Sequence, residues 1–361
     1  MVRILHAADL HLDSRFEALG AQKAALRRAE QRDMLRRIIE LAEREKAQMI
    51  LLSGDLFDSD RAYYETASTL SAAFAATSAR IFISPGNHDF YSANSPYNVV
   101  RLPENVYVFK SPEIEAVELP ELECTVYGSA FVSAYSESML KGFTAAGMGT
   151  RIIIMHGDLE APDSRYNPVT EQDAADSGAD YIALGHNHTF SGVRKAGNTY
   201  YACPGCPEGR GFDEPGEKGV LVGEVGRGVA ELEFVPLGGR KYGTLTVDVT
   251  GKDVEKAFLE ALPDGAQRDI FRVILTGECA GAPNTAALEA AGEERFFSLT
   301  VKDATRPERD IWEQTGEKTL RGIFLSRMRE KYDAADETER GRIILAVRFA
   351  LAAMDNSEGW R

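Results

Sequence analysis

An α/β fold is the class this sequence predicts, on three observations. Its first third alternates short apolar runs, "VRILHA", "QMILLSG" and "RIFISPG", with longer segments of helical character. The next stretch packs further short apolar runs between turns, a pattern of strands in sheets. Hydrophobic residues at 44% and charged residues at 27% of 361 are the balance of a globular chain.

Taken in order, the first run leads into a charged segment from about Ala24 to Ala47, where Leu26, Met34, Ile38 and Leu41 recur at helical spacing. "QMILLSG" follows as a strand, then a helical stretch near residues 64–77, then "RIFISPG". The runs "VYVF", "TVYGSAF", "RIIIMHG", "DYIALGH", "TYYACPG", "GVLVGEV" and "AELEFVPL" predict short strands joined by turns. Together they make an α/β domain over residues 1–236. "LGGRKYG" is a joint. "TLTVDVT", "KDVEKAFLEAL", "FRVILTG" and "RFFSLTVKD" predict a small α+β domain over residues 237–306. Residues 307–361 read as helical, with Leu320, Phe324 and Met328 on one face and Ile343, Val347, Ala350 and Met354 on another.

Composition excludes several classes. No apolar run approaches the roughly 20 residues of a membrane helix, so no membrane partner is expected. "MVRILHAADLH" lacks the apolar core and cleavage site of a signal peptide, and the expected location is the cytoplasm. Four cysteines do not make a disulfide framework in a chain this long. Cys203 and Cys206 read as a turn after a strand, with a redox or zinc role as the alternative. The net charge of −15 argues against coating nucleic acid by bulk electrostatics. Nearly all of it lies before Pro307. It leaves room for a local phosphate site, since bound divalent ions reverse the local field.

The chemistry-bearing residues cluster at predicted strand ends. "HAADLHLDS" carries Asp9 and His11, and "SGDLFD" carries Asp55 and Asp58. "PGNHDF" carries Asn87, His88 and Asp89, "IMHGD" carries His156, and "LGHNH" carries His186 and His188. Asp9 and His11, two apart on an extended segment, would point to one side. Ligand-bearing ends of parallel strands can converge. Five of the six histidines fall at these ends, and the sixth, His6, lies just before Asp9. Mixed Asp, Asn and His donors suit Mn, Fe or Zn. Asp55 is the natural bridge between two ions roughly 3.5–4 Å apart.

The ordered set Asp9-x-His11, Gly54-Asp55-x-x-Asp58, Gly86-Asn87-His88-Asp89, His156 and Gly185-His186-x-His188 resembles the calcineurin-like metallophosphoesterase superfamily across residues 4–190. The resemblance implies a two-sheet αββα sandwich with two divalent metal ions at one end, Mn2+ in the first place and Fe or Zn otherwise. It assigns Asp9, His11, Asp55 and His188 to one metal, and Asp55, Asn87, His156 and His186 to the second. His88 would face the substrate as a catalytic group. Asp89 would orient it, as outer carboxylates do.

"ILHAADLHLDS" with "LLSGDLFDS" is similar to the DNA repair nuclease branch of that superfamily, the SbcD and YhaO-like proteins. This implies a Mn-dependent nuclease subunit, exonuclease or endonuclease, hydrolysing phosphodiester bonds in DNA. A capping domain would follow the core, and C-terminal helices would dock on an SMC-like, SbcC-like ATPase. The branch also suggests a homodimer. Some members carry His where Asp58 stands, a substrate-contacting position. Arg210 and Phe212 resemble a loop near the active site and are further candidate substrate contacts. Two other readings stay open: a phosphodiesterase or phosphatase for small substrates, which the acidic charge favours, and a non-catalytic scaffold for the ATPase.

Overall fold

Alternate side chains of the first strand enter two different cores. Val2 and Ile4 join one, Leu5 and Ala7 the other. That period-two burial sets the layer order. The computed structural model describes residues 1–59, 61–308 and 310–354.

Twelve strands form two six-stranded sheets among the described residues. They are β1 (Val2–Ala7), β2 (Met49–Leu52), β3 (Arg80–Ile83), β4 (Val106–Val108), β5 (Glu115–Leu119), β6 (Cys124–Gly128), β7 (Thr150–His156), β8 (Tyr181–Gly185), β9 (Arg194–Ala196), β10 (Thr199–Ala202), β11 (Gly219–Gly226) and β12 (Val229–Pro236). The first sheet runs β12-β11-β1-β2-β3-β4 and the second β5-β6-β7-β8-β10-β9. Strands β1 to β4 are parallel to one another, as are β6, β7, β8 and β10. Antiparallel strands border each parallel group.

Ile4, Met49, Leu51 and Phe82 of the first sheet meet Val126, Ile152, Ile154 and Ala183 of the second. The outer face of the first sheet, with Leu5, Ile50, Leu52 and Ile81, is covered by Met34, Ile38 and Leu41 of α1 (Ala21–Arg44) and by Leu70 and Phe74 of α2 (Tyr64–Ala75). A single turn, α3 (Pro96–Val99), follows β3. The outer face of the second sheet, with Ile153, Met155, Ile182 and Leu184, packs on Leu140, Val169 and Ala174, the last from α4 (Glu171–Asp176). The result is the expected αββα sandwich. Each fully buried side chain of this kind contributes roughly 1.5–3 kcal/mol.

His6 belongs to the seam between the sheets. Its Nδ1 meets the Tyr181 hydroxyl at 2.8 Å, and its Nε2 lies 3.1 Å from the Leu184 carbonyl and 3.0 Å from Ser53 Oγ. Burial holds its pKa down to about 3. It is a neutral structural histidine.

The chain divides into two compact units. The first is Met1–Thr244 with Gly265–Arg272 and Glu293–Leu299, and the second is Leu245–Asp264, Val273–Gly292 and the residues from Thr300 on. Residues 237–306, expected as a capping domain, contribute to both. The unit limits fall inside β13 (Tyr242–Asp248), β14 (Ile270–Thr276) and a later strand, β16 (Ser298–Asp303), which make a three-stranded sheet. Two-residue strands β15 (Glu278–Cys279) and β17 (Arg306–Pro307) pair in parallel. Helices α5 (Val254–Ala261) and α6 (Thr285–Gly292) precede the C-terminal pair α7 (Leu320–Ala334) and α8 (Glu337–Met354).

In that pair Leu325, Ile343 and Val347 form a small core, with Trp312, Phe324 and Met328 against it. Leu320, placed on the packed face by periodicity, is 78% exposed because it opens α7 directly after its cap Thr319. Arg309 and residues 355–361 of the segment expected to be helical lie outside the described residues. No helix among the described residues is long and apolar enough to cross a membrane.

The sheets close tightly where β2 and β8 end. A Cβ on Gly185 would lie 1.9 Å from the Ser53 carbonyl oxygen and 2.8 Å from His156 Nδ1. Gly185→Ala is expected to destabilise the protein by about 1–3 kcal/mol. Thermal unfolding followed by circular dichroism should show a melting point several degrees lower, and an unchanged one would refute this close approach.

Candidate metal centre

The loops after β1 and β2 run side by side. Asp9 N donates to the Gly54 carbonyl at 3.0 Å, His11 N to the Asp55 carbonyl at 2.8 Å, and Leu12 N to the Leu56 carbonyl at 2.8 Å. This pairing coincides with strained backbone. Asp9, His11, Asp55 and His186 have φ of 56°, 43°, 50° and 90°, conformations that cost of order 1–3 kcal/mol each outside glycine. Asp9 and His11 do not face one side through the pleat of an extended segment, contrary to what their spacing predicts. They converge because left-handed turns swing both side chains inward, since β1 ends at Ala7 and the pleat no longer applies.

Two donor groups result. His11 Nε2 lies 3.2 Å from His188 Nε2 and 3.7 Å from Asp55 Oδ2, and His188 Nε2 lies 4.0 Å from Asp9 Oδ1. On the other side, His156 Nε2 is 3.4 Å from Asp55 Oδ2 and 3.0 Å from Asn87 Oδ1. Asn87 Oδ1 is 3.2 Å from His186 Nδ1. Asp55 therefore touches both groups, and Asp9 lies within reach of both as well. Donors bound at about 2.0–2.2 Å to one ion sit about 3–4 Å apart.

Outer acceptors fix the rings. Nδ1 of His11 donates to Asp58 Oδ1 at 3.1 Å, that of His156 to the Ser53 carbonyl at 2.9 Å, and that of His188 to Glu214 Oε1 at 2.6 Å. With Nδ1 carrying the proton, each Nε2 aims its lone pair into the centre, the arrangement of metal-binding histidines. Facing nitrogens at 3.2 Å require a proton or a metal ion between them. The donor set fits two divalent ions: Asp9, His11, Asp55 and His188 would hold one, and Asp55, Asn87, His156 and His186 the other.

The electrostatics agree. Burial works to raise the Asp55 carboxyl, but the imidazoles of His156 and His11 hold it well below the usual range. For His156, burial pulls downward and the Asp55 carboxylate overrides it, holding the imidazole up at about 9. Burial raises Asp9 to about 6 and lowers His11 and His186 to about 4. A dry site whose carboxylates favour a proton on His156 would favour a metal cation in its place, and binding one would release that proton.

His88 is exposed at the mouth. Its backbone N–H donates to Asp55 Oδ1 at 2.9 Å, its ring stands edge-on to His11 at 4.8 Å, and its Nδ1 lies 3.3 Å from the Asp58 carbonyl. Asp89 acts on backbone, where orientation of the His88 ring was expected. It accepts from the amides of Leu56 (2.8 Å), Phe57 (3.2 Å) and Gly86 (2.8 Å) and from the Tyr97 hydroxyl (2.5 Å). It thereby ties the Asp55 loop to the Asn87-His88 loop.

Asp58 and Arg210 meet directly, Arg210 Nη1 donating to Asp58 Oδ1 at 2.9 Å. Nη2 of the same guanidinium reaches Glu214 Oε1 at 3.0 Å. The Phe212 ring packs on Tyr242 at 5.3 Å and under the Arg272 guanidinium at 3.9 Å. Cys203 and Cys206 are buried free thiols. They donate to the carbonyls of Asn187 at 3.0 Å and His188 at 3.5 Å, so the turn supports the His186-x-His188 loop. Burial pushes the Cys206 thiol up to about 12, which keeps it from acting as a thiolate.

The family model for calcineurin-like phosphoesterases matches residues 2–190. The chain belongs to the calcineurin-like phosphoesterase family. Among curated proteins, this phosphoesterase is 29% identical over 273 residues to the uncharacterized metallophosphoesterase YhaO of Bacillus subtilis (strain 168), covering 72% of this chain and 66% of that one. It is 25% identical over 224 residues to the DNA double-strand break repair protein Mre11 of Aeropyrum pernix, covering 57% of this chain and 53% of that one. The matches thus span about half to two thirds of those relatives. The crystal structure of TT1561 of Thermus thermophilus aligns at 15% identity with a TM-score of 0.39, over 66% of this chain and all of that one.

Sequence reasoning missed Glu214, Ser53 and Asp158, the last with Oδ2 3.9 Å from His186 Nε2. Asp158 was visible in principle, two residues after His156. Glu214 carried no signal, because it reaches His188 from a loop 26 residues away. Two outcomes follow. Asp55→Ala is expected to abolish binding of both ions. Glu214→Ala should weaken one ion by about 10–100-fold and spare the other, the usual effect of removing a ligand's outer partner. Calorimetric titration with Mn2+ checks both, and equal weakening of two ions by Glu214→Ala would reject its assignment to His188.

Proposed function

We propose that this phosphoesterase is a divalent-metal-dependent DNA nuclease subunit that hydrolyses phosphodiester bonds in DNA repair. The observation that carries the reaction class is the pair of donor groups that Asp55 joins, 3.7 Å from His11 and 3.4 Å from His156, beside an exposed imidazole, His88. Similarity to a double-strand break repair protein supports DNA as the substrate. Two divalent ions, with Mn2+ proposed ahead of Fe or Zn, would polarise a phosphoryl oxygen and acidify a water there. The chain's own residues supply the rest. Asp55 and Asp9 set a dense negative charge on the floor, Asp89 fixes the loop that presents His88, and His88 donates a proton or a hydrogen bond to the departing oxygen.

An SMC-like ATPase, SbcC-like, is the proposed partner beside DNA. Exposed apolar residues on α7 and α8, Leu320, Ile323 and Leu345, support docking there. The net charge of −15 supports contribution of DNA affinity by that partner. The same charge favours the second reading, a phosphodiesterase for small substrates.

His88→Ala is expected to retain both metal ions and lose on the order of 10²–10⁴ in rate. Nuclease activity on end-labelled linear duplex DNA with Mn2+, measured beside hydrolysis of bis(p-nitrophenyl) phosphate, checks the proposal. Loss of both activities in the variant alone supports the nuclease. Small-ester hydrolysis with intact DNA, alone and with the ATPase, establishes the second reading. Metal loss in the variant removes His88 from its role.

A further inference from the structure

We propose that the hollow beside Asn87 and His88 is a nucleobase subsite, which holds the base of the nucleotide whose phosphate lies at the metal centre. This rests on the phosphodiesterase reading above and names the part of the substrate that the centre itself does not touch. The hollow has a volume of about 370 Å³ and is lined by Ser59, Asn87, His88, Phe90, Ala134, Tyr135 and Tyr166. Two of these lining residues are the candidate ligand Asn87 and the candidate catalytic His88. A group in the hollow is therefore a direct neighbour of the reacting phosphate.

The wall chemistry selects a flat aromatic ring. Three aromatic side chains converge on one small space, and Tyr135 is 48% exposed. Phe90 and Tyr166 are half-buried, so the three rings together offer a partly open apolar surface at a reaction centre. Tyr135 and Tyr166 lie 5.5 Å apart with ring planes 40° from parallel, and Tyr166 is 4.9 Å from the His186 ring. The Arg165 guanidinium sits 3.9 Å over Tyr135. Among the described residues, no carboxylate lines this hollow, although the chain as a whole carries −15. Aromatic faces beside cations are how proteins take up bases without reading their sequence.

The shelf is also fixed to the metal site. Ser136 N donates to the Arg165 carbonyl at 2.9 Å and Asn167 N to the Ser136 carbonyl at 2.9 Å, which locks the Tyr135 and Tyr166 segments together. Buried Asn167 then donates from Nδ2 to the His156 carbonyl at 2.7 Å and accepts at Oδ1 from Met139 N at 2.7 Å. Next to Phe90, Tyr91 N donates to the Phe131 carbonyl at 2.7 Å and Phe131 N to the Pro85 carbonyl at 3.1 Å. The segments that carry Phe90, Tyr135 and Tyr166 are thus anchored to loops that carry metal-site residues. A base stacked here stands at a set position relative to the phosphate.

The test is calorimetric titration of the Mn2+-loaded full chain with dAMP and with 2-deoxyribose 5-phosphate, which differ only in the base. The wild type is expected to bind dAMP on the order of tenfold or more tightly than the sugar phosphate. That ratio should fall towards one in Tyr135→Ala and in Phe90→Ala and persist in Tyr135→Phe. Equal affinities in the wild type, or a ratio that survives both alanine variants, would overturn the subsite. Affinity for the sugar phosphate reports that each variant is folded and loaded. Base-dependent binding by a protein that hydrolyses neither duplex DNA nor a small diester would keep the subsite and discard the phosphodiesterase reading. Hydrolysis with base-independent binding would do the reverse. Slower cleavage of a duplex whose terminal nucleotide is abasic would identify a DNA end as the source of the base, and an unchanged rate would identify a free nucleotide.

Discussion

Groups that cannot satisfy one another are forced together at one end of the sandwich, and the surrounding structure answers that constraint. Imidazole nitrogens face each other at 3.2 and 3.3 Å, and Asp9 and Asp55 are both dry. Without a cation these contacts are repulsive or depend on stray protons. The left-handed backbone at Asp9, His11, Asp55 and His186 adds strain. Such an arrangement persists only where the rest of the fold over-determines it.

The over-determination is visible. Two sheets closing at Gly185 and Ser53 set the floor. Asp89 joins two loops through three amides and a hydroxyl. His6 pins the seam below with contacts to both sheets. Arg27, fully buried, ties α1 to the Glu208 carboxylate and the Gly209 carbonyl, and so steadies the loop that delivers Arg210 and Glu214. A buried pair of this kind contributes little net stability but much positional definition, since losing one partner strands the other.

Arg210 illustrates how position changes the meaning of a residue. In sequence it stands in a loop that resembles a substrate-contacting one. In the structure its guanidinium spans Asp58 and Glu214, the carboxylates that orient His11 and His188. Its charge is committed to the outer support of the centre. Phe212, two residues on, serves packing against Tyr242 and Arg272.

The sequence by itself determined the class of fold, the central strands and the set of candidate donors. Those strands are buried on both faces, so they read as unbroken apolar runs, and their donors sit at the last residue of a strand or within four residues of it. The edge strands of the second sheet were not legible, unlike those of the first, β4 and β12. β5 and β9 lie at the borders of the second sheet, and their half-exposed, charged sequences "EAVEL" and "RKA" lack that signal. Only the tertiary structure decided why Asp9 and His11 converge, which acceptors turn each imidazole, and that aromatic rings from distant loops share one hollow. Those features depend on backbone handedness and on contacts between residues far apart in the chain, and local sequence pattern carries neither.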